Sequence, residues 1–172
     1  LAFQEDDSGR ITGFVMDGLP FMSLRKLPFY ATPAFNFTLL GVAMFLFVTV
    51  LAARWYQRAA VRARSPADRA AINPPSLAAA ANLLVVITAG VVLMIVKDRL
   101  FTGIPLLFKV WLVVPIIAVI AAEYLLYRTI LVWRQRLLAG TWARVRITLV
   151  AACALFTAWF FYYWNILGFQ YL

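Results

Sequence analysis

The chain has 172 residues, 65% of them hydrophobic and 13% charged, with a net charge of +9 and no histidine. A soluble domain usually carries about a quarter charged residues, and a chain this apolar would expose too much greasy surface in water, so the composition points to a bilayer as solvent. Without histidine, and with Cys153 as the one cysteine, His-based metal sites, His-based acid–base catalysis, an intrachain disulfide and a cysteine-rich metal centre are excluded.

No cofactor is expected. Cys153 sits in an apolar run and reads as a small packing residue. The positive charges fall between apolar runs, which is the pattern of cytoplasmic loops near anionic headgroups and not of a nucleic-acid surface.

Residues 1–31 differ from the rest. Short apolar runs flank Asp6-Asp7-Ser8-Gly9 and predict a β-hairpin, with Gly9 free to take positive φ. Asp17-Gly18-Leu19-Pro20 is a second turn signal, and a third strand is expected over about 21–24. Three small strands do not bury a core alone, so this segment is expected to end a larger extracytoplasmic β domain.

Pro28, Phe29, Tyr30 and Pro33 mark the entry to the bilayer, and residues 34–53 form an uncharged first span. Arg54, Arg58, Arg62, Arg64 and Arg69 follow, opposed only by Asp68. Ser65-Pro66-Ala67-Asp68 has the order cap, first-turn proline and acid, so a short surface helix is predicted there. Asn73-Pro74-Pro75 is then expected to start the second span, 76–96, separately.

Lys97-Asp98-Arg99 and Thr102-Gly103 read as a tight turn. The third span is predicted over 104–127, with a kink at Pro115. A continuing helix should carry Arg128, Trp133, Arg134 and Arg136 until Gly140 ends it. Thr141 is expected to cap the last helix, Arg144 and Arg146 precede the fourth span at 147–167, and Trp159, Tyr162, Tyr163 and Trp164 form an interfacial belt. The apolar, alanine-rich 77–81 stretch offers a small-residue face to another helix.

Few side chains suggest chemistry. Ser23-Leu24-Arg25-Lys26 matches S-x-x-K and Tyr163-Trp164-Asn165 matches Y-x-N. Such a nucleophile needs serine and lysine one helical turn apart in a cleft. Pro28 stands too close for a long helix, so both matches read as coincidence. Lys109 and Glu123 are intramembrane charges fourteen residues apart, on one face of a continuous helix but about 21 Å apart along its axis. Snorkelling of Lys109 and pairing of Glu123 with Arg128 or another arginine are the structural expectations. A transporter built on Lys109, Glu123 and Pro115 is the functional alternative.

Residues 3–14, Phe-Gln-Glu-Asp-Asp-Ser-Gly-Arg-Ile-Thr-Gly-Phe, and 21–33, Phe-Met-Ser-Leu-Arg-Lys-Leu-Pro-Phe-Tyr-Ala-Thr-Pro, resemble the C-terminal junction of membrane-bound β-lactamase-related serine hydrolases. The resemblance covers about the first 40 residues by motif and the remainder by hydropathy. It implies a penicillin-binding-type domain upstream of Leu1, carrying the catalytic serine, lysine and tyrosine. No catalytic role passes to Ser23, Lys26, Tyr163 or Asn165.

The expected fold is an all-α membrane domain: a four-transmembrane-helix bundle over 33–172 with a short N-terminal β-hairpin region over 1–32. The expected function is a membrane anchor holding the upstream hydrolase domain at the outer face of the cytoplasmic (inner) membrane of a bacterial cell. A stand-alone membrane interaction subunit is the alternative. The partners are then the lipid bilayer, the hydrolase domain of the same chain and another membrane protein, with no nucleic acid. The arginine counts put the loops around Arg54–Arg69 and Arg128–Arg146 in the cytoplasm, and the N-terminal segment and C-terminus outside.

Overall fold

Thr32-Pro33 is a helix start written into the chain, because a threonine caps well and a proline fits the first helical position. In the computed structural model α1 spans Pro33–Tyr56. The Thr32 hydroxyl accepts from the Phe35 amide at 3.4 Å and donates to the Phe29 carbonyl at 2.7 Å. Asn36, fully buried, donates through its side-chain amide to the Tyr30 and Thr32 carbonyls, each at 3.0 Å. The Phe29 and Phe35 rings lie 4.5 Å apart. These contacts bind the turn at 29–31 to the first turns of α1.

The structure describes residues 2–5, 9, 11–16, 19–25, 28–63, 66–98, 103, 105–138 and 140–167. They fall into two compact units, Leu1–Leu39 and Leu40–Leu172. The division lies in α1, later than residue 32, because Asn36 and Phe35 belong with the entry turn. In the first unit the backbone forms strands β1 (Ala2–Glu5), β2 (Ile11–Met16) and β3 (Leu19–Arg25), antiparallel in the order β1-β2-β3. The register shifts between Gln4 and Glu5 and again between Val15 and Met16. Gly9 takes φ +75°, a conformation that favours glycine. The turn signal at Asp17-Gly18 and the side chain of Lys26 lie outside the described residues.

The second unit holds the remainder of α1, then α2 (Arg58–Arg62), α3 (Pro66–Val96), α4 (Leu106–Trp111), α5 (Val113–Arg134) and α6 (Thr141–Tyr163). Four stretches are long and apolar enough to cross a membrane: Pro33–Tyr56, Arg69–Val96, Leu106–Arg134 and Thr141–Tyr163. The shortest, at 23 residues, rises about 34 Å as a helix, enough for a hydrocarbon core of about 30 Å.

Side chains are arranged as lipid solvation demands. Phe45 is 72% exposed, Met94 78% and Leu106 75%, while Asn82 and Thr157 are within 1% of full burial. The buried seams advance by alternate steps of three and four. On α5 they run through Pro115, Ala118, Ala122, Leu125, Thr129 and Val132, with Ala121 buried beside them; on α6 they run through Ile147, Val150, Ala154, Thr157 and Phe161, with Ala151 and Phe160 buried beside them. On α1 the seam continues through Ala43, Phe47 and Val50. This 3.5-residue period belongs to helices crossing at shallow, left-handed angles. Alanine dominates the core shared by Ala43, Ala78, Ala122 and Ala151, letting backbones approach. The second core instead uses Trp111, Leu112, Phe160 and Phe161.

Between the two cores lies a polar tie. The Thr157 hydroxyl is 2.6 Å from Asn82 Oδ1 and 2.9 Å from its own-helix carbonyl at Ala154. Asn82 Nδ2 donates to the Ala78 carbonyl at 2.9 Å. With the amide protons thus directed, Oδ1 is the acceptor and the single threonine proton is shared between two oxygens. A second device recurs at the edges. The Trp111 indole donates to Thr88 Oγ1 at 2.9 Å, joining α4 to α3, and the Trp133 indole donates to Thr148 Oγ1 at 2.9 Å, joining α5 to α6. Both threonines donate back to their own helix, to the carbonyls of Leu84 and Arg144.

Several boundaries differ from the sequence expectations. Pro74 and Pro75 lie inside α3, so the helix that begins at Pro66 runs on into the second span. They delete the bonds to the carbonyls of residues 70 and 71, but proline φ is compatible with a helix, which continues through two missing bonds. Asn73 does not cap a helix; its Oδ1 accepts from Arg54 at 3.1 Å. The proposed Ser65 cap lies outside the described residues.

Pro115 sits in the first turn of α5, and the break falls at Leu112, between α4 and α5. A proline there cannot donate to the carbonyl four residues earlier, Trp111, so the helix ends just where that bond is missing. The helix bearing Arg128 and Arg134 stops at Arg134 and does not reach Gly140. Arg136 takes φ 51° and Leu137 N–H bonds to the Val132 carbonyl at 3.1 Å, a Schellman closure. Gly140 is the residue preceding α6, and Thr141 is the first residue within it.

The Asn82–Thr157 contact predicts a measurable coupling. Thr157→Val should lower bundle stability by about 0.5–2 kcal/mol, and adding Asn82→Ala should cost less than the two single effects summed. Unfolding in mixed micelles across the four variants of the cycle measures this; strict additivity would mean that the bond contributes nothing.

Candidate functional site

One arginine from each basic connection lines a common cavity. A cavity of about 250 Å³ lies among the C-terminal part of α1, α2, the start of α3 and the start of α6. Its polar lining is Arg54, Gln57, Ser76, Trp142 and Arg146. Apolar side chains, among them Val50, Val61, Ile72 and Val150, form the rest of the wall. Among the described residues no aspartate or glutamate lines it.

The helices set these groups in place. Arg54 stands in the last turn of α1, and one terminal nitrogen is held by Asn73 of α3. Arg146 stands six residues into α6 and is exposed. Trp142, 75% exposed, has the amphipathic ring that favours headgroup depth. Such an arrangement can receive an anion on the guanidinium groups and an alkyl chain against the wall.

The other arginines have local roles. Arg58 lies over the Trp55 ring at 4.7 Å. Arg144 lies over Trp133 at 5.9 Å and donates to the Leu138 carbonyl at 3.4 Å. Arg62, Arg69, Arg134 and Arg136 are exposed. Arg128 is half-buried, and its Nε has no hydrogen-bond partner. Arg64 lies outside the described residues.

Lys109, Pro115 and Glu123 are not brought together. Lys109 is half-buried on α4, Pro115 is buried in the α5 seam, and Glu123 is exposed on the outer face of α5. Leu112 interrupts the helix between Lys109 and Glu123 while keeping right-handed helical dihedrals. No hydrogen bond or ion pair joins Glu123 to Arg128 or to any other described residue. The expected pairing is therefore absent: Glu123 belongs to the face away from the seam that carries Leu125 and Thr129.

The motif matches also resolve. Ser23 lies in β3 and not on a helix, and its lysine partner Lys26 is outside the described residues. Asn165 has φ 52°, with its amide on the Tyr162 carbonyl at 3.0 Å and Ile166 N–H on the Phe161 carbonyl at 2.8 Å. It terminates α6 by a Schellman closure, for which asparagine is the usual substitute for glycine. The aromatic end of α6 is a ladder at helical spacing, with Trp159 on Tyr163 at 5.2 Å and Phe160 on Trp164 at 5.8 Å. Cys153 is half-buried and packs against the alanine-rich core. Among the described residues no group of three or more metal-ligating side chains forms.

Sequence reasoning found the arginines but missed the cavity, whose walls come from segments nearly a hundred residues apart. It also missed Asn82 and Thr157, although two polar residues within apolar runs were a signal. The fold and the cavity define a multi-pass membrane protein with a basic, apolar-walled recess at one end of its bundle. Comparison with protein-family models, with curated proteins and with solved structures returned no match.

Glu123 makes a separate prediction. It lies eleven residues (134 − 123) before Arg134, the end of its candidate span, or about 16 Å along the axis. A carboxylate facing lipid there opposes insertion, so Glu123→Leu should favour insertion of the 106–134 segment by about 1–3 kcal/mol. A glycosylation-mapped insertion assay gives the value; no gain would place the carboxyl in a polar surround.

Proposed function

We propose that the chain is the membrane-anchor module of an extracytoplasmic β-lactamase-related serine hydrolase in the cytoplasmic membrane. The observation that carries this proposal is the junction at 26–33, Lys-Leu-Pro-Phe-Tyr-Ala-Thr-Pro, feeding directly into a capped apolar helix that three further candidate spans follow. The resemblance of residues 3–14 and 21–33 to the junction in that family supplies the hydrolase part. The bundle supplies the physics: four spans insert in effect irreversibly, whereas one lipid chain binds marginally.

The orientation rests on arginine. The connections bearing Arg54–Arg69 and Arg128–Arg146 face the cytoplasm, which leaves the N-terminal segment and the C-terminus outside. That both basic connections line one cavity supports their lying on the same side.

A second proposal, a membrane interaction subunit without a hydrolase, is favoured by Glu123, an acid on the outer face with no described partner. The coding sequence before Leu1 separates the two. An S-x-x-K and a Y-x-N within a few hundred upstream codons support the anchor; a start codon immediately before Leu1 transfers the case to the interaction subunit.

The topology is tested with reporter fusions in the intact chain. Fusions after Arg64 and after Gly140 should report the cytoplasm, and one after Leu172 the outside. A cytoplasmic signal after Leu172 would contradict the four-span orientation.

A further inference from the structure

The described lining of the cavity at the arginine end carries two positive groups. Two guanidinium groups, Arg54 and Arg146, line one small recess, and no acid is among its described walls. Arg54 is already fixed by Asn73 through one terminal nitrogen, and a guanidinium has five N–H donors. No hydrogen bond or ion pair joins the Arg146 guanidinium to another described residue. Like charges facing one recess repel, and an anion between them converts that repulsion into charge-assisted hydrogen bonds.

The walls identify the remainder of the ligand. Val50, Val61, Ile72 and Val150 are apolar, and free inorganic phosphate gains nothing from them. Gln57 and Ser76 add neutral polar groups beside the arginines. The recess is at the end of the candidate spans, where Arg54 closes α1 and Trp142 opens α6, the depth at which headgroups and the first chain methylenes lie. A volume of about 250 Å³ falls just below the ~300–1,000 Å³ of small-molecule sites. It suits a headgroup and the top of one chain, with the rest of the lipid outside.

We propose that this recess binds one anionic phospholipid, its phosphate on Arg54 and Arg146 and its upper acyl chain on the apolar wall. The inference goes beyond anchoring and does not depend on any attached hydrolase. A lipid held there bridges α1, α3 and α6 at the alanine-rich end of the bundle, where side chains are smallest.

Native mass spectrometry of the full chain, released from detergent in the presence of dioleoyl phosphatidic acid, phosphatidylcholine of the same chains, or inorganic phosphate, tests it. One phosphatidic acid per chain should be retained at least about tenfold more tightly than phosphatidylcholine. Arg146→Gln should reduce that retention about tenfold, and Ala53→Phe, which fills the recess, should abolish it. Arg134→Gln, an exposed arginine away from the recess, should leave it unchanged. Arg54→Gln also loosens α1 from α3, so Arg146→Gln is the deciding variant, with helicity checked by circular dichroism. Equal retention of both lipids, equal losses in Arg134→Gln and Arg146→Gln, or wild-type retention in Ala53→Phe each overturns the proposal. Inorganic phosphate bound as tightly as phosphatidic acid overturns the lipid assignment in favour of a free-phosphate site.

Discussion

Hydrocarbon offers no hydrogen bonds, and the bundle is organised around that constraint. Every polar group placed between helices must find its partner within the protein. Asn82 satisfies it by donating within α3 and accepting from Thr157 of α6, 75 residues away in the chain. Because both groups sit between two apolar cores, sliding α6 along α3 by a single turn would leave Asn82 Oδ1 without its donor and Thr157 with only its own-helix carbonyl. The bond therefore fixes register as much as it adds stability. The tryptophan–threonine pairs follow the same logic at the edges: an indole proton goes to a hydroxyl whose own proton returns to its helix.

That constraint also explains the composition of the core. Apolar side chains gain little from leaving lipid for the protein interior, so many large ones stay outside and in the first core the helices meet largely through alanine, while Trp111, Phe160 and Phe161 fill the second. Close approach by small residues is strongest where Ala78, Ala122 and Ala151 gather. At the edge of that region, where α1 and α2 meet α3 and α6, the side chains leave the recess lined by Arg54 and Arg146. Thin packing and unopposed charge thus coincide at one end. An anionic lipid would complete both, filling volume and neutralising the guanidinium pair.

Helix ends follow a second consistent principle. Thr32 and Pro33 start α1, while Arg136 and Asn165 close α5 and α6 in the left-handed conformation. The Asn165 closure had a sequence signal, because asparagine tolerates positive φ. Arginine at position 136 had none, and the glycine at 140 drew the expected boundary too far along. The proline pair at 74–75 misled in the opposite direction. Proline usually marks an end, but inside α3 its cost is two lost bonds and not a break.

The sequence by itself determined four apolar stretches of spanning length, their interfacial aromatics and the clustering of arginine in two connections. These properties are local: each depends on runs of about 20 residues and on solvation of single side chains, which composition records. Packing set which polar residues face inward and where the third span breaks. It alone brought Arg54 and Arg146 to one recess. A helix that is apolar all round carries no stripe to mark its buried face, so in this chain the inward faces are settled only when helices pack.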